Sequence, residues 1–290
     1  LLLLCAGVEL EASFAPLCAM LQGNPQRDFP TFALALATLP AAHWSAITPD
    51  APLRHWQLIE LEAGRSVTRS PLRIDERLLH YLAGVDHLDA QLAGFVQPLP
   101  LPAILAPSHQ MLADQIAATW LAAKQELPVI QLCGIDGESI QSIAAAACAQ
   151  LQSQLFAMPL GAIPATPGEV SQLVRLWQRE AMLSQRVLLI DCEENERGSG
   201  NRDSVLAWFV EADGQMPLLI ASRERRGAWQ RPTLLLDVAK PTGSEQQTVW
   251  RSLLDEALSA GATSLNGQVE RLVGQFNLNL PVIVAATRGA

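Results

Sequence analysis

The residues with the clearest chemical potential lie between two stretches of opposite character. Gly134-Ile-Asp-Gly137 follows an apolar run, Val129-Ile-Gln-Leu-Cys133, and precedes a small-residue stretch, Ser139 to Leu151, with helical character. A strand, a glycine turn and a helix start present backbone N–H groups and a positive dipole end, which suits a phosphate. The complete loop for that task reads G-x-x-x-x-G-K-[ST]. Gly134 fills the first glycine and Gly137 an internal place. Ser139 stands where the second glycine belongs, Ile140 where the lysine belongs, and Gln141 where a hydroxyl would hold Mg²⁺. Ile140 brings no charge to a β- or γ-phosphate, and Glu138 adds a negative one. Taken alone, an ordinary strand-to-helix turn explains these glycines.

About fifty residues on, Val187-Leu-Leu-Ile-Asp191 has the form of the acidic strand that binds Mg²⁺ in P-loop ATPases. A third apolar strand, Pro217-Leu-Leu-Ile-Ala221, is followed by Ser222 and Arg223. The one dense basic patch, Arg223-Glu-Arg-Arg226 with Arg231, precedes a fourth, Thr233-Leu-Leu-Leu-Asp237. Then come Asp237-Val-Ala-Lys-Pro241 and an amphipathic helix from Ser244 to Ala260. This order of parts, over residues 105–290, resembles the AAA+ ATPases.

That resemblance implies a role for each position. A glutamate that activates water should follow Asp191; Cys192 is there instead, with Glu193 and Glu194 one and two places late. Glu193 is the only catalytic candidate, and a one-residue shift re-aims it. Asp191 reads as a metal ligand or, more simply, a remnant acid. Ser222 or Arg223 takes the place of a sensor residue. Arg231 sits where an arginine finger would reach a neighbour's nucleotide, against the plainer reading of a solvated face. Residues 265–286 resemble the start of a helical lid. On this basis ATP and Mg²⁺ are implied cofactors that the eroded motifs argue against.

The front of the chain extends the resemblance. Pro40-Ala-Ala-His-Trp-Ser-Ala-Ile-Thr-Pro49, Leu53-Arg-His-Trp56 and Ser70-Pro-Leu-Arg-Ile-Asp-Glu-Arg-Leu-Leu-His-Tyr-Leu82 look like the winged-helix-bearing AAA+ ATPases of phage-tail-like contractile injection clusters. The resemblance implies a degenerate ATPase-like first domain with an intact AAA+ domain downstream. It also implies protein partners or self-association.

Other chemistry is thin. His43, His55, His80, His87 and His109 have no metal-ligand spacing. Cys5, Cys18, Cys133, Cys148 and Cys192 form no CxxC pair, and their odd number fits buried thiols in a reducing cytoplasm. No histidine follows Cys133 to serve as its base, and no G-x-S-x-G elbow exists. A winged helix raises the question of DNA. The helix at 74–83 offers Arg77 and His80, with Arg65, Arg69 and Arg73 upstream, but Asp75 and Glu76 oppose them. Protein contact is the better expectation, and the seven tryptophans read as core or interface.

These residues need elements to hold them. Residues 1–48 read as helical. Between 52 and 98, a strand at 57–62, a turn at Ala63-Gly64, a returning strand at 66–70 and a helix from Ile74 to Leu82 predict a winged-helix-like module. Pro98, Pro100, Pro102 and Pro107 mark a linker over 99–107. From 108 to 262, apolar strands alternating with helices predict a P-loop-NTPase-like parallel sheet with helices on both faces. Residues 263–290 would begin the lid.

The composition is consistent with this. The 290 residues carry 20 basic and 29 acidic side chains, net −9, with 17% charged and 49% hydrophobic. That is enough apolar material for a large core and excludes general disorder. The acidic balance disfavours nonspecific nucleic-acid binding. The leucine run at Leu1 to Ala6 is too short to span a bilayer. The absence of an initiator Met, and an end resembling a cut helix, lead us to expect a piece of a longer cytoplasmic protein.

Overall fold

A computed structural model describes residues 1–62, 66–192, 199–212, 214–227, 229–258, 268–276 and 278–288. They form two compact units, Leu1–Ala90 and Gln91–Ala290.

In the first unit, α1 (Leu2–Leu10), α2 (Phe14–Leu21) and α3 (Phe32–Thr38) precede a 3-10 turn (Trp44–Ile47) and α4 (Pro52–His55). Thr31 caps α3 by accepting the Leu34 N–H at 3.1 Å. β1 (Ile59–Leu61) and β2 (Leu72–Ile74) pair antiparallel, with Ile59 opposite Ile74 and Leu61 opposite Leu72. Leu72 and Ile74 alternate inward around exposed Arg73, as a half-buried strand requires. α5 (Glu76–Leu82) follows, capped by Asp75, which accepts the Leu78 N–H at 3.2 Å.

One expected strand is displaced. Residues 66–70 form a turn, closed by the Ser70 N–H and Oγ on the Ser66 carbonyl at 3.0 and 2.8 Å. The returning strand starts only after Pro71, which lacks the N–H that a ladder needs. The expected turn at Ala63-Gly64, and Arg65, lie outside the described residues.

The second unit is built on a six-stranded sheet: β3 (Gln97–Pro98), β4 (Val129–Cys133), β5 (Gln154–Pro159), β6 (Arg186–Asp191), β7 (Leu218–Ser222) and β8 (Thr233–Asp237). The spatial order is β3-β5-β6-β7-β4-β8, and every pairing is parallel except β3 with β5. The helices are α6 (Pro107–Ala122), α7 (Gly137–Gln150), α8 (Pro167–Ser184), α9 (Ser199–Glu211), α10 (Gly243–Leu258), α11 (Gln268–Gln275) and α12 (Leu280–Arg288). Ile116, Trp120, Ile140, Ile143 and Ala144 of α6 and α7 pack with Leu132, Leu155, Leu189 and Leu219 in one core cluster. On α8, Trp177 meets Phe156 edge-on, with ring centroids 5.7 Å apart. Helices therefore cover both faces of the sheet, which explains its uninterrupted apolar strands.

The proline-rich segment is less independent than the sequence suggests. Gln97 and Pro98 pair with β5 as an edge strand, where a missing N–H is tolerated, and the Leu99 N–H reaches the Leu155 carbonyl at 2.9 Å. Ile104 and Ala106 join a second core cluster with Val249, Trp250, Val269, Leu280 and Ile283. That cluster also groups α10 with α11 and α12, whereas the sequence reading divided them at residue 263. Among the described residues, no helix is long and apolar enough to cross a membrane.

Candidate functional site

In an open parallel sheet, ligands bind beyond the carboxyl ends of the strands where the connections diverge. Here that place is between β4 and β7: the chain leaves β4 towards β5 on one side, and leaves β7 across β4 to β8 on the other. The fold gathers Gly134, Asp191, Ser222 and Asp237 along this rim, each at or just beyond a strand end.

The turn after β4 is short and tightly held. The Gly134 N–H donates to the Ser222 carbonyl at 3.0 Å, and the Val238 N–H to the Cys133 carbonyl at 2.6 Å. A Cβ on Gly134 would lie 2.7 Å from the Val238 carbonyl oxygen, so this glycine is required by close backbone approach. α7 already begins at Gly137, which makes positions 137–141 helical. Only Gly134, Ile135 and Asp136 lie between β4 and α7.

The side chains in those slots face other tasks. Ile140 is fully buried in the core. Ser139 is buried, and its Oγ donates to Asp136 Oδ2 at the cap position of α7. Gln141 Nε2 lies 3.5 Å from Asp191 Oδ2, the outer limit of a hydrogen bond. Ile135, at the tip of the turn, is 80% exposed. The cavity beside the turn holds about 100 Å³ and is lined by Ile135, Asp136, Ser139, Val238, Ala239 and Lys240. Small-molecule sites usually run to ~300 Å³ or more.

Cys192 is buried where an activating glutamate is implied, and burial pushes its thiol up to about 12. Cys148 is likewise held at about 12 by burial, and all five cysteines are buried and free of disulfides. Glu193 and Glu194 lie outside the described residues.

Ser222 is in the interior. Gln131 is best placed with its amide oxygen accepting from Ser222 Oγ at 3.1 Å and from the Arg226 N–H at 2.7 Å. Cys133 Sγ lies 3.6 Å from the same hydroxyl. Arg223 is exposed just past β7. Its neighbours are matched by acids, Arg225 with Asp237 and Arg226 with Asp203, both at 2.9 Å.

Arg231 corrects the sequence reading. It is only 4% exposed, at the amino end of β8, and so on the opposite edge of the sheet from the rim. Its guanidinium donates to the carbonyls of Leu127 at 2.8 and 3.0 Å, Val210 at 3.4 Å and Gly214 at 3.4 Å, and also to that of Met216. A fan of donors suits this gathering of carbonyl ends, and it leaves no guanidinium to reach a neighbour.

On α5, Arg77 is buried and bonded to Asp86 at 3.0 Å, and His80 Nδ1 is 2.5 Å from His87 Nε2. Arg73 is paired with Glu62 at 2.8 Å. Most of the basic residues considered for DNA are thus engaged within the unit. Among the described residues, no three His, Cys, Asp or Glu side chains converge on a metal position.

Two comparisons place these parts. Residues 242–290, which include α10, α11 and α12, match the family model of the contractile injection system ATPase helical domain. Residues 1–96 match the winged helix domain, variant. No curated protein sequence matches the chain. The chain is therefore similar at its carboxyl end to the helical domain of contractile injection system ATPases, and at its amino end to the winged helix domain, variant.

Proposed function

We propose that this chain is an AAA+-like ATPase segment that has lost nucleotide chemistry and serves a contractile injection apparatus through protein contacts. The observation that carries this reading is the start of α7 at Gly137, with Ile140 buried in the core. Phosphoryl transfer depends on positioning and on charge stabilisation around the phosphates. The Gly137, Ser139, Ile140 and Gln141 slots lie within α7 and supply no cation, and Asp136 and Glu138 add carboxylates at its amino end. ATP and Mg²⁺ do not fit these residues.

The strand order and the helical-domain match support an ATPase ancestry; the altered site supports a structural or regulatory role. In this reading, hydrolysis belongs to an intact AAA+ domain on the same polypeptide or a neighbour, and exposed Arg223 is a contact residue on the rim. A second reading, weak ATP binding with Asp191 as a metal ligand, draws on the placement of Asp191 and Gln141 together at the rim.

The test is ATP turnover by the purified chain. We expect none above an Asp191→Ala control. Robust hydrolysis lost in that control would overturn the proposal and favour the second reading.

A further inference from the structure

The chain reverses sharply after α5, and the reversal brings two imidazoles together. The Val85 N–H donates to the His80 carbonyl at 2.9 Å, and the Gly84 N–H to the Tyr81 carbonyl at 3.0 Å. Gly84 has φ +80°, the left-handed conformation that this helix ending requires. His87 is thereby carried back onto the last turn of α5. His80 Nδ1 and His87 Nε2 stand 2.5 Å apart, with ring centroids 4.6 Å apart and ring planes at 86°. Both side chains are partly exposed, so solvent reaches the pair.

The geometry is that of two ligands aimed at one point. A neutral imidazole carries one N–H and one lone pair, and its tautomer decides which nitrogen holds which. With the protons on the outer nitrogens, both inner nitrogens direct lone pairs at each other. Something positive must then lie between them. A proton there gives a hydrogen bond; a metal ion gives two coordinate bonds. Zinc–imidazole bonds of ~2.0–2.1 Å at a tetrahedral angle set the nitrogens about 3.3 Å apart. The pair reaches that spacing by opening roughly 0.8 Å, a side-chain adjustment at a partly exposed site. Each ring stays neutral throughout, so only the tautomer changes.

The surroundings suit a cation. From 75 to 89 the chain carries Asp75, Glu76, Asp86 and Asp89 against Arg77 alone. Asp86 precedes His87 and is exposed, with Arg77 at 3.0 Å. Among the described residues no group of three His, Cys, Asp or Glu side chains converges, so water completes the coordination. Imidazole nitrogen selects zinc, nickel and copper over magnesium and calcium, which prefer oxygen. We infer that His80 and His87 form a binding site for a late divalent transition metal of the Zn²⁺ class, which clamps the end of α5 to the returning chain. A seven-residue separation along one helix would not make a ligand pair; the turn at Gly84 does. The inference is independent of the nucleotide site.

The test is calorimetric titration of the full 290-residue chain with ZnCl₂ and, separately, NiCl₂, in a non-chelating reductant. A single saturable site is expected for each, with no response to MgCl₂. His80→Ala and His87→Ala should each weaken binding at least about tenfold, and His43→Ala should not change it. Zn²⁺ should also raise the melting temperature of the parent chain, by mass action, and not that of either variant. If a variant fails to fold, the parent chain still decides. Diethyl pyrocarbonate modifies accessible imidazoles, and mass spectrometry should show Zn²⁺ protecting His80 and His87 among the five histidines.

Absence of saturable binding would overturn the inference. So would binding that survives both substitutions, which would move the metal to thiols or carboxylates, or protection of other histidines in place of these two. An ATP result on the sheet rim alters none of these readings, so the two proposals fail separately.

Discussion

The Glu245 carboxylate, in the first turn of α10, accepts the backbone N–H of Ser108, in the first turn of α6, at 2.7 Å. The same carboxylate accepts the Thr242 N–H and Oγ at 2.8 and 2.9 Å, while Thr242 Oγ1 receives the Glu245 N–H at 3.4 Å. One residue thus closes a capping box on α10 and caps α6 as well, joining the helical segment to the first helix of the sheet unit. Burial acts to raise the Glu245 pKa, but the hydrogen bonds from Thr242 and Ser108 outweigh it and hold the group at about 2, against a usual 4.5.

A depressed folded-state pKa stabilises the protein above the unfolded value and loses that contribution as pH falls from about 4.5 towards 2. Glu245→Ala should cost about 1–2 kcal/mol at neutral pH. The difference in melting temperature between the two proteins should shrink below pH 4.5. A difference that is constant across that window would remove Glu245 from this role.

Gly134 and Gly168 make a matched pair. A methyl at Gly134 meets backbone at 2.7 Å, whereas at Gly168, in α8, nothing lies within 4 Å. Gly134→Ala should destabilise by about 1–3 kcal/mol, and Gly168→Ala should be neutral or stabilise by about 0.5–1 kcal/mol. Chemical denaturation of both variants will check this. Equal effects would contradict the close approach of Val238 to the turn.

Arg231→Ala should destabilise the fold strongly, by about 3 kcal/mol or more, because several buried carbonyls lose their donor together. Arg223→Ala, at an exposed site, should stay within about 0.5 kcal/mol. If Arg231→Ala instead left the melting temperature intact and altered only self-association, the buried placement would be wrong.

Restoring the motif's lysine should not restore its chemistry. Ile140→Lys places an ammonium in a closed core and should destabilise by several kcal/mol, of the order of 3. ATP should remain without effect on the melting temperature of this variant. A stable variant that is further stabilised by ATP would show that position 140 faces a phosphate site.

The sheet was largely legible because its strands are short, mostly apolar and separated by helical patterns. Val129–Cys133 and Thr233–Asp237 coincide with their expected ends. The returning strand of the small ribbon was misplaced because Ser66–Ser70 has strand composition and Pro71 resembles a stop, while its real bonds close a turn. Arg231 was misread for a related reason. Arginine near other arginines looks like surface, and only the convergence of Leu127, Val210, Gly214 and Met216 in space shows why it is buried. Glu245 was passed over, although Thr242-x-x-Glu245 has the capping-box spacing, because its second partner is 137 positions away. That Ile140 stands where the resemblance implies a lysine was visible in the sequence; the helical start at Gly137 needed the backbone.

The central proposal is that this site takes no nucleotide. The most direct measurement is the melting temperature of the chain with Mg²⁺ alone and with Mg²⁺-ATP at roughly millimolar concentration, since a ligand of the native state must raise stability by mass action. The account predicts coincident transitions. A saturable rise of several degrees that disappears in Asp191→Ala would contradict it.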